Sequence, residues 1–237
     1  MFFAFSTSAF CQEELFYRQV RPLEELGESG PGSDVHSFAV FSFGLKPDII
    51  GTRVSRIKAS SNSFTVGRRV KYRLNDHFSF VNGQHFRRVS IRPKPSYFMY
   101  HLVKGIELEN QQIAQHFIGL DLSLRFNYQP VGNAYGNYVE FGVWGDFLLW
   151  SKYAWTPKGT DEKLGRYPIN FMSDHNRDIN VFAAGAHLRL GFGWFSIFTE
   201  YRSTPFFKAF SSDELGEGTY NAAPLTVGIE FVLLSLD

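Results

Sequence analysis

The order of long and short links between strand-like segments is the feature that most constrains the fold of this chain. Eight such segments are joined by links that run long, short, long, short, long, short, long. Short links at one end of antiparallel strands and long links at the other are typical of an outer-membrane β-barrel. The predicted strands are Val35–Leu45, Phe64–Arg73, Phe78–Ile91, Gln112–Tyr128, Tyr138–Trp155, Ile179–Leu190, Trp194–Arg202 and Leu225–Leu234.

The links also predict which end of the barrel faces which compartment. An even number of strands returns the chain to its starting side, so both termini and the short links are expected in the periplasm. The long links are then expected at the outer surface. The short links are Leu74–His77, Gln129–Asn137 and Gly191–Gly193, and the long links are Lys46–Ser63, Arg92–Gln111, Thr156–Asp178 and Ser203–Pro224.

Strict alternation of apolar and polar residues supports the strand assignment. In the clearest strand, apolar residues occupy every second position from Leu120 to Tyr128, and Asp121, Ser123, Arg125 and Asn127 fall between them. Successive side chains leave a strand on opposite faces, so this period of two indicates a β-strand. The second and third strands are weaker, because Arg68 and Arg88 fall on their otherwise apolar faces.

Alternation alone does not decide which face points outward. A soluble lipocalin-type carrier would place the apolar face inside, around a small ligand. We predict the opposite arrangement, because charges of both signs lie at mid-strand and could pair within a lumen. The predicted lumen ion network consists of Asp121, Arg125, Glu140, Asp146, Arg189, Glu200, Arg202 and Glu230.

Strand length and aromatic placement favour a membrane location. Several predicted strands reach the length of roughly 9–11 residues that a tilted strand needs to cross a bilayer. Aromatic rings near strand ends are typical of the membrane–water interface. The rings predicted there are Tyr128, Tyr138, Tyr153, Trp155, Trp194 and Tyr201.

Length and charge limit the remaining classes. A chain of 237 residues fits one all-β domain. Its longest apolar run falls short of the roughly 18 residues that a spanning helix needs. The net charge of +1 argues against a nucleic-acid partner.

The amino-terminal region is predicted to lie outside the barrel. Residues 1–11 resemble a signal-peptide remnant, and residues 12–34 form a flexible periplasmic leader before a barrel domain at 35–237. Cys11 is the only cysteine, so disulfides and thiolate metal sites are not expected; lipidation of Cys11 is an alternative to cleavage after it.

A resemblance to known proteins lies in residues 119–128, 181–190, 198–203 and 224–231. These segments resemble the Bacteroidetes outer-membrane β-barrel family, labelled porin-like or PorT-like, with barrels of the OmpX and OmpA type. The resemblance implies an all-β, eight-stranded antiparallel up-and-down transmembrane β-barrel in the outer membrane of a Gram-negative bacterium. The sequence departs from this family in one respect. Such barrels commonly end on an aromatic residue, whereas here Phe231 is followed by Val-Leu-Leu-Ser-Leu-Asp237.

The expected function is non-enzymatic: an envelope-structural role, or docking of a partner or ligand through the long loops. No cofactor is predicted, and the expected partners are outer-membrane lipid or lipopolysaccharide, the barrel-assembly machinery and an envelope protein. Candidate anion contacts in the first long loop are Lys46, Arg53, Arg56 and Lys58. An alternative is a lipid-modifying enzyme, similar to a lipid A deacylase or acyltransferase, for which His101, His175, Ser173 and Asp174 are the loop residues considered.

Overall fold

The structure is a computed structural model that describes residues 31–47, 61–92, 108–128, 136–157, 166–170, 180–205 and 224–236. Within these ranges the strands are β1 Val35–Leu45, β2 Asn62–Arg73, β3 Phe78–Ile91, β4 Leu108–Asn127, β5 Asn137–Pro157, β6 Arg166–Asn170, β7 Phe182–Phe192, β8 Phe195–Arg202 and β9 Leu225–Ser235. Among the described residues, no helix has the length and apolarity needed to cross a membrane.

Eight of these strands close into one antiparallel barrel. The hydrogen-bonded order is β4–β3–β2–β1–β9–β8–β7–β5, and β5 also pairs with β4 to complete the ring. The first and last strands of the chain pair with each other, from Phe38 opposite Ser235 to Leu45 opposite Val227. Closure pairs the backbone groups that an open sheet would leave at its edges. The predicted eight-stranded up-and-down barrel is confirmed.

The ninth strand, β6, was not predicted. It lies within the link expected at Thr156–Asp178 and pairs with the end of β5, from Trp150 opposite Asn170 to Ala154 opposite Arg166. β5 needs this partner because its pairing with β7 stops at Phe147 opposite Phe182, while β5 itself continues to Pro157. Only five residues long and interrupted by a proline, β6 is too short to show a period in the sequence.

A β-bulge in β5 changes which residues face inward. Phe117 of β4 lies opposite Leu148 and His116 lies opposite Trp150, so Leu149 has no direct partner. An extra residue on one strand shifts the alternation beyond it. Lys152, which the uninterrupted alternation placed on the same face as Glu140, is therefore exposed, and Ser151 is buried instead.

One short turn matches its predicted position, and a second, predicted at Gly191–Gly193, is formed by Gly193 and Trp194. In the link Leu74–His77, the Asn75 side-chain oxygen accepts hydrogen bonds from the backbone N–H groups of His77 and Phe78, at 2.9 and 2.8 Å. The turn between β7 and β8 contains Gly193 at φ 64°, a left-handed conformation that favours glycine. Most of the third predicted turn, Gln129–Asn137, lies outside the described residues.

The barrel is apolar outside, and its interior holds charged side chains together with apolar ones such as Phe38, Val81 and Phe117. Large apolar side chains cover the outer face of all eight barrel strands; Leu122 is 45% exposed and Phe141 is 61% exposed. The buried inward-facing side chains include five carboxylates, at Asp121, Glu140, Asp146, Glu200 and Glu230. This polarity is the reverse of that in a soluble barrel, whose apolar residues face the core.

Candidate functional site

The centre of the lumen is organised around Glu140. Its side chain is fully buried. The carboxylate accepts hydrogen bonds from Arg125 at 2.7 Å and from Arg189 at 2.8 Å. The register explains this convergence, because Arg125 of β4 and Arg189 of β7 lie directly opposite Glu140 on either side of β5. Three adjacent strands are thereby tied together inside the barrel.

Arg69 of β2 connects Glu140 to the far side of the lumen. Its guanidinium lies 2.8 Å from Glu230 on β9, 3.4 Å from Glu140 and 3.7 Å from Asp121. Since β2 and β5 are not neighbours in the sheet, these ion pairs run across the barrel interior. A guanidinium that offers several donors in a fixed plane suits such a bridging position.

A second charged cluster lies closer to the long-link end of the barrel. Asp146 is 2.8 Å from Nε2 of His85 and 3.3 Å from Arg87. Arg87 also pairs with Glu200 at 3.1 Å. Each buried carboxylate in this cluster therefore has a cationic or hydrogen-bonding partner, which offsets the cost of removing it from water.

The structure brings together most of the side chains predicted for the lumen ion network. Arg202 is less buried than the others and its Nε donates to the backbone oxygen of Thr204 at 3.1 Å, while its charge also interacts with those of Asp146 and Arg87. The predicted residues that are buried in the lumen are Asp121, Arg125, Glu140, Asp146, Arg189, Glu200 and Glu230.

Sequence reasoning missed Arg69, Arg87, His85 and His187, although all four are buried inside the barrel. The missed arginines each adjoin an arginine that disturbed the apolar face, Arg68 or Arg88. Because neighbouring residues in a strand face opposite sides, one member of each Arg-Arg pair had to point inward. The doublets themselves were therefore the signal for two further lumen cations.

Two glycines make room for the buried carboxylates. A Cβ atom at Gly83 would collide with the carboxylate of Asp121, and one at Gly119 would collide with Asp146 and with the His85 ring. Both positions face inward and are buried. Any larger residue would therefore displace a charged side chain from its partners.

Replacing Gly119 by alanine is expected to destabilise the barrel by about 1–3 kcal/mol, because overpacking would disturb the Asp146–His85 contact. The matched control is Gly145→Ala, since a Cβ there would meet only the Phe182 ring, at 3.3 Å or more. Urea unfolding in lipid vesicles measures both. Equal effects of the two changes would show that the lumen tolerates the added methyl group.

Aromatic rings line the lumen beside Arg125. Its guanidinium carbon lies 3.7 Å from the centre of the Tyr138 ring and 5.7 Å from that of Phe38. A cation held over aromatic faces is stabilised by the ring quadrupole. The prediction of Tyr138 as an interfacial aromatic is wrong, because Tyr138 shares the inward parity of Glu140 and is 3% exposed.

Among the described residues, one group in the lumen has the spacing of metal ligands, but its surroundings oppose a cation. Ligating atoms of Asp121, Glu140 and His187 lie within 4.8 Å of one another. However, the two carboxylates are already paired with arginines, whose positive charge opposes a metal cation. The third residue of this group, His187, is 2% exposed.

Lys46 is not a free loop cation, and its prediction as an anion contact is wrong. It continues the inward parity of β1, is 7% exposed, and its Nζ donates to Thr226 Oγ1 at 2.9 Å. The other proposed contacts in that loop, Arg53, Arg56 and Lys58, lie outside the described residues. The loop residues considered for catalysis, His101, Ser173, Asp174 and His175, also lie outside them.

The last part of the predicted leader is packed against the short-link end of the barrel. Lys71 donates to the backbone oxygen of Pro31, and Arg73 donates to that of Gly32 at 3.0 Å. These residues border a small polar recess that Ser79 and Asn127 also line. Within the predicted leader, the carbonyl groups of Pro31 and Gly32 are therefore held by two cations near the end of β2.

Comparisons with known proteins add little to this description. No protein-family model and no curated protein sequence matches the chain. The attachment invasion locus protein Ail of Yersinia pestis matches with 11% identity and a TM-score of 0.35, over 84% of this chain and 95% of Ail. A second structure of Ail, in complex with the heparin analogue sucrose octasulfate, matches with 9% identity and a TM-score of 0.33 over the same shares. Similarity at this level supports no inference about what this chain binds.

Proposed function

We propose that this chain is an integral outer-membrane β-barrel protein of a Gram-negative bacterium, without enzymatic activity, that stabilises the envelope or docks a partner through its long loops. Both termini then lie in the periplasm. The expected partners are outer-membrane lipid or lipopolysaccharide, the barrel-assembly machinery and an envelope protein. The resemblance to Bacteroidetes barrels is consistent with this proposal.

The polarity of the barrel is the single observation that carries the proposal. Side chains such as Leu122 and Phe141 face outward, while charged pairs such as Arg125–Glu140 are buried. In water, this arrangement would expose a continuous apolar surface around the barrel, far larger than monomeric soluble proteins tolerate. In a bilayer the same surface contacts acyl chains, and closure of the sheet satisfies the backbone.

The soluble lipocalin-type alternative conflicts with the same polarity. A carrier of that kind needs an apolar interior in which a small ligand can be buried. Here the described interior is crossed by ion pairs such as Arg69–Glu230 and is packed against inward-facing glycines such as Gly83. Arginine–carboxylate pairs would have to be broken to admit an apolar ligand.

The filled lumen also argues against a diffusion channel. Eight strands enclose a space that side chains can fill. The described lumen contains Arg69 and Glu140 at its centre, linked across the barrel. We therefore assign a recognition role to the ends of the barrel and the long links. The second candidate function is a lipid-modifying enzyme, which an assay of lipid A deacylation and acyl transfer would reveal.

Cell fractionation with a heat-modifiable gel shift tests the proposed location. The mature chain is expected in the outer-membrane fraction, and its unboiled form is expected to migrate differently from its boiled form because a closed barrel resists detergent unfolding. Surface proteolysis of intact cells should cleave only the long links. Recovery of the folded chain in the soluble periplasm would contradict the proposal.

A further inference from the structure

We propose that Arg88, His116 and Lys152 form a binding site for the phosphate groups of membrane lipids, on the outer face of β3–β5 just beyond the apolar belt. This site lies on the barrel wall rather than in the long loops. The inference rests on the proposed membrane location and adds a specific ligand class to it.

The three side chains are neighbours in the sheet. Arg88 of β3 lies directly opposite His116 of β4. His116 lies opposite Trp150 of β5, and Lys152 is the next residue of β5 on that face. Cross-strand and diagonal neighbours in a sheet lie close enough for long side chains to reach a common ligand.

An aromatic base holds the central residue of this site. The His116 ring stacks on Trp150 with 4.5 Å between ring centres and lies 5.9 Å from the Phe86 ring. Phe86 and Trp150 are also in contact, at 5.9 Å between ring centres. Aromatic rings of this kind favour the boundary between acyl chains and head groups. The cations therefore stand at the depth where lipid phosphates lie.

The charged side chains that the structure describes on the outer face of the strands are all positive. Every carboxylate that the structure describes on the barrel strands points inward, from Asp121 to Glu230. On the barrel strands, the described outward-facing cations are Arg68, Arg88 and Lys152, and all three are exposed. Since no described carboxylate on the outer face neutralises them, an external anion is the natural partner.

The position within the barrel favours a lipid over a soluble anion. Each residue of the site takes the next outward position beyond a large apolar or aromatic side chain. Arg88 lies beyond Phe86, His116 beyond Ile118, and Lys152 beyond Trp150. A lipid whose acyl chains cover the apolar belt would bring its phosphate to this height. Charge-assisted hydrogen bonds from Arg88 and Lys152 would then hold it.

Binding of lipid A to the full mature chain in phosphatidylcholine nanodiscs tests this inference. The triple variant R88Q/H116Q/K152Q is expected to bind lipid A about tenfold or more weakly, because charge-assisted contacts are lost. The matched control is R68Q, which removes an outward cation on β2, away from the proposed site, and is expected to leave the affinity unchanged. Dephosphorylated lipid A should bind weakly to all three proteins.

Each remaining outcome would overturn the inference. Equal affinities of the wild type and the triple variant would exclude these residues as the site. Undiminished binding of dephosphorylated lipid A would exclude phosphate recognition, and full competition by inorganic phosphate would favour a soluble anion over a lipid. Failure of the wild-type chain to insert into nanodiscs would instead contradict the proposed membrane location, so the two failures are distinguishable.

Discussion

Replacing Glu140 by glutamine is expected to lower the free energy of unfolding by about 3 kcal/mol or more, because one partner of a buried ion network is removed. Glu140 is fully buried and pairs with Arg69, Arg125 and Arg189. Its neutral substitute leaves these guanidinium groups with too few carboxylates inside the barrel. Urea unfolding in lipid vesicles, followed by tryptophan fluorescence, measures the change.

The control for Glu140 is the exposed ion pair in the β2–β3 turn. Asp76 pairs with Arg73, but 63% of its side chain is exposed to solvent. Asp76→Asn makes the same chemical change in water and is expected to cost less than about 1 kcal/mol. Similar losses for the two variants would mean that Glu140 is not in a desolvated network.

Replacing Leu122 by arginine is expected to destabilise the barrel in a bilayer by about 2–4 kcal/mol, the cost of a charge on the lipid face near the midplane. Leu122 faces outward on β4 between Leu120 and Leu124, and it is 45% exposed. In a soluble barrel, a solvent-exposed leucine could be changed to arginine with an effect of about 0.5 kcal/mol or less. The substitution therefore separates the membrane and soluble descriptions.

The control for the Leu122 variant is the same substitution at an outward-facing position nearer the membrane interface. Tyr128 is also outward-facing and 57% exposed, but it lies just past the end of β4. Near the membrane interface, the same change to arginine is expected to cost about 0–1 kcal/mol. Equilibrium unfolding in vesicles gives both values, and equal costs at the two positions would contradict a lipid-facing belt.

The barrel itself could be predicted from sequence because alternation and link lengths are local signals. Residues 120–126 of β4 and 225–231 of β9 keep a strict period of two, and their apolar side chains face outward as expected. The features that sequence did not reveal depend on partners distant in the chain. β6 forms because β5 extends beyond the end of its pairing with β7. The bulge at Leu149 can be recognised only from the register of β4 against β5.

The lumen network was only partly predictable for a similar reason. The sequence placed Arg125 and Glu140 on inward faces, and their register brings them into contact. Arg69 and Arg87 each adjoin another arginine. The sequence therefore indicated that one arginine of each pair faces inward, but it did not show which one. Tyr138 and Lys46 are buried because each occupies an inward-facing position of its strand. From their residue types, we expected an interfacial ring and a loop cation instead.

The central claim is that the apolar outer face contacts acyl chains, and spin-label accessibility tests it most directly. A nitroxide attached at Leu122→Cys, in the mature chain reconstituted in vesicles, is expected to be accessible to oxygen and protected from a water-soluble nickel complex. A label at Lys152→Cys, beyond the belt, should show the reverse preference. Ready access of the nickel complex to the label at position 122 would contradict the membrane-spanning account.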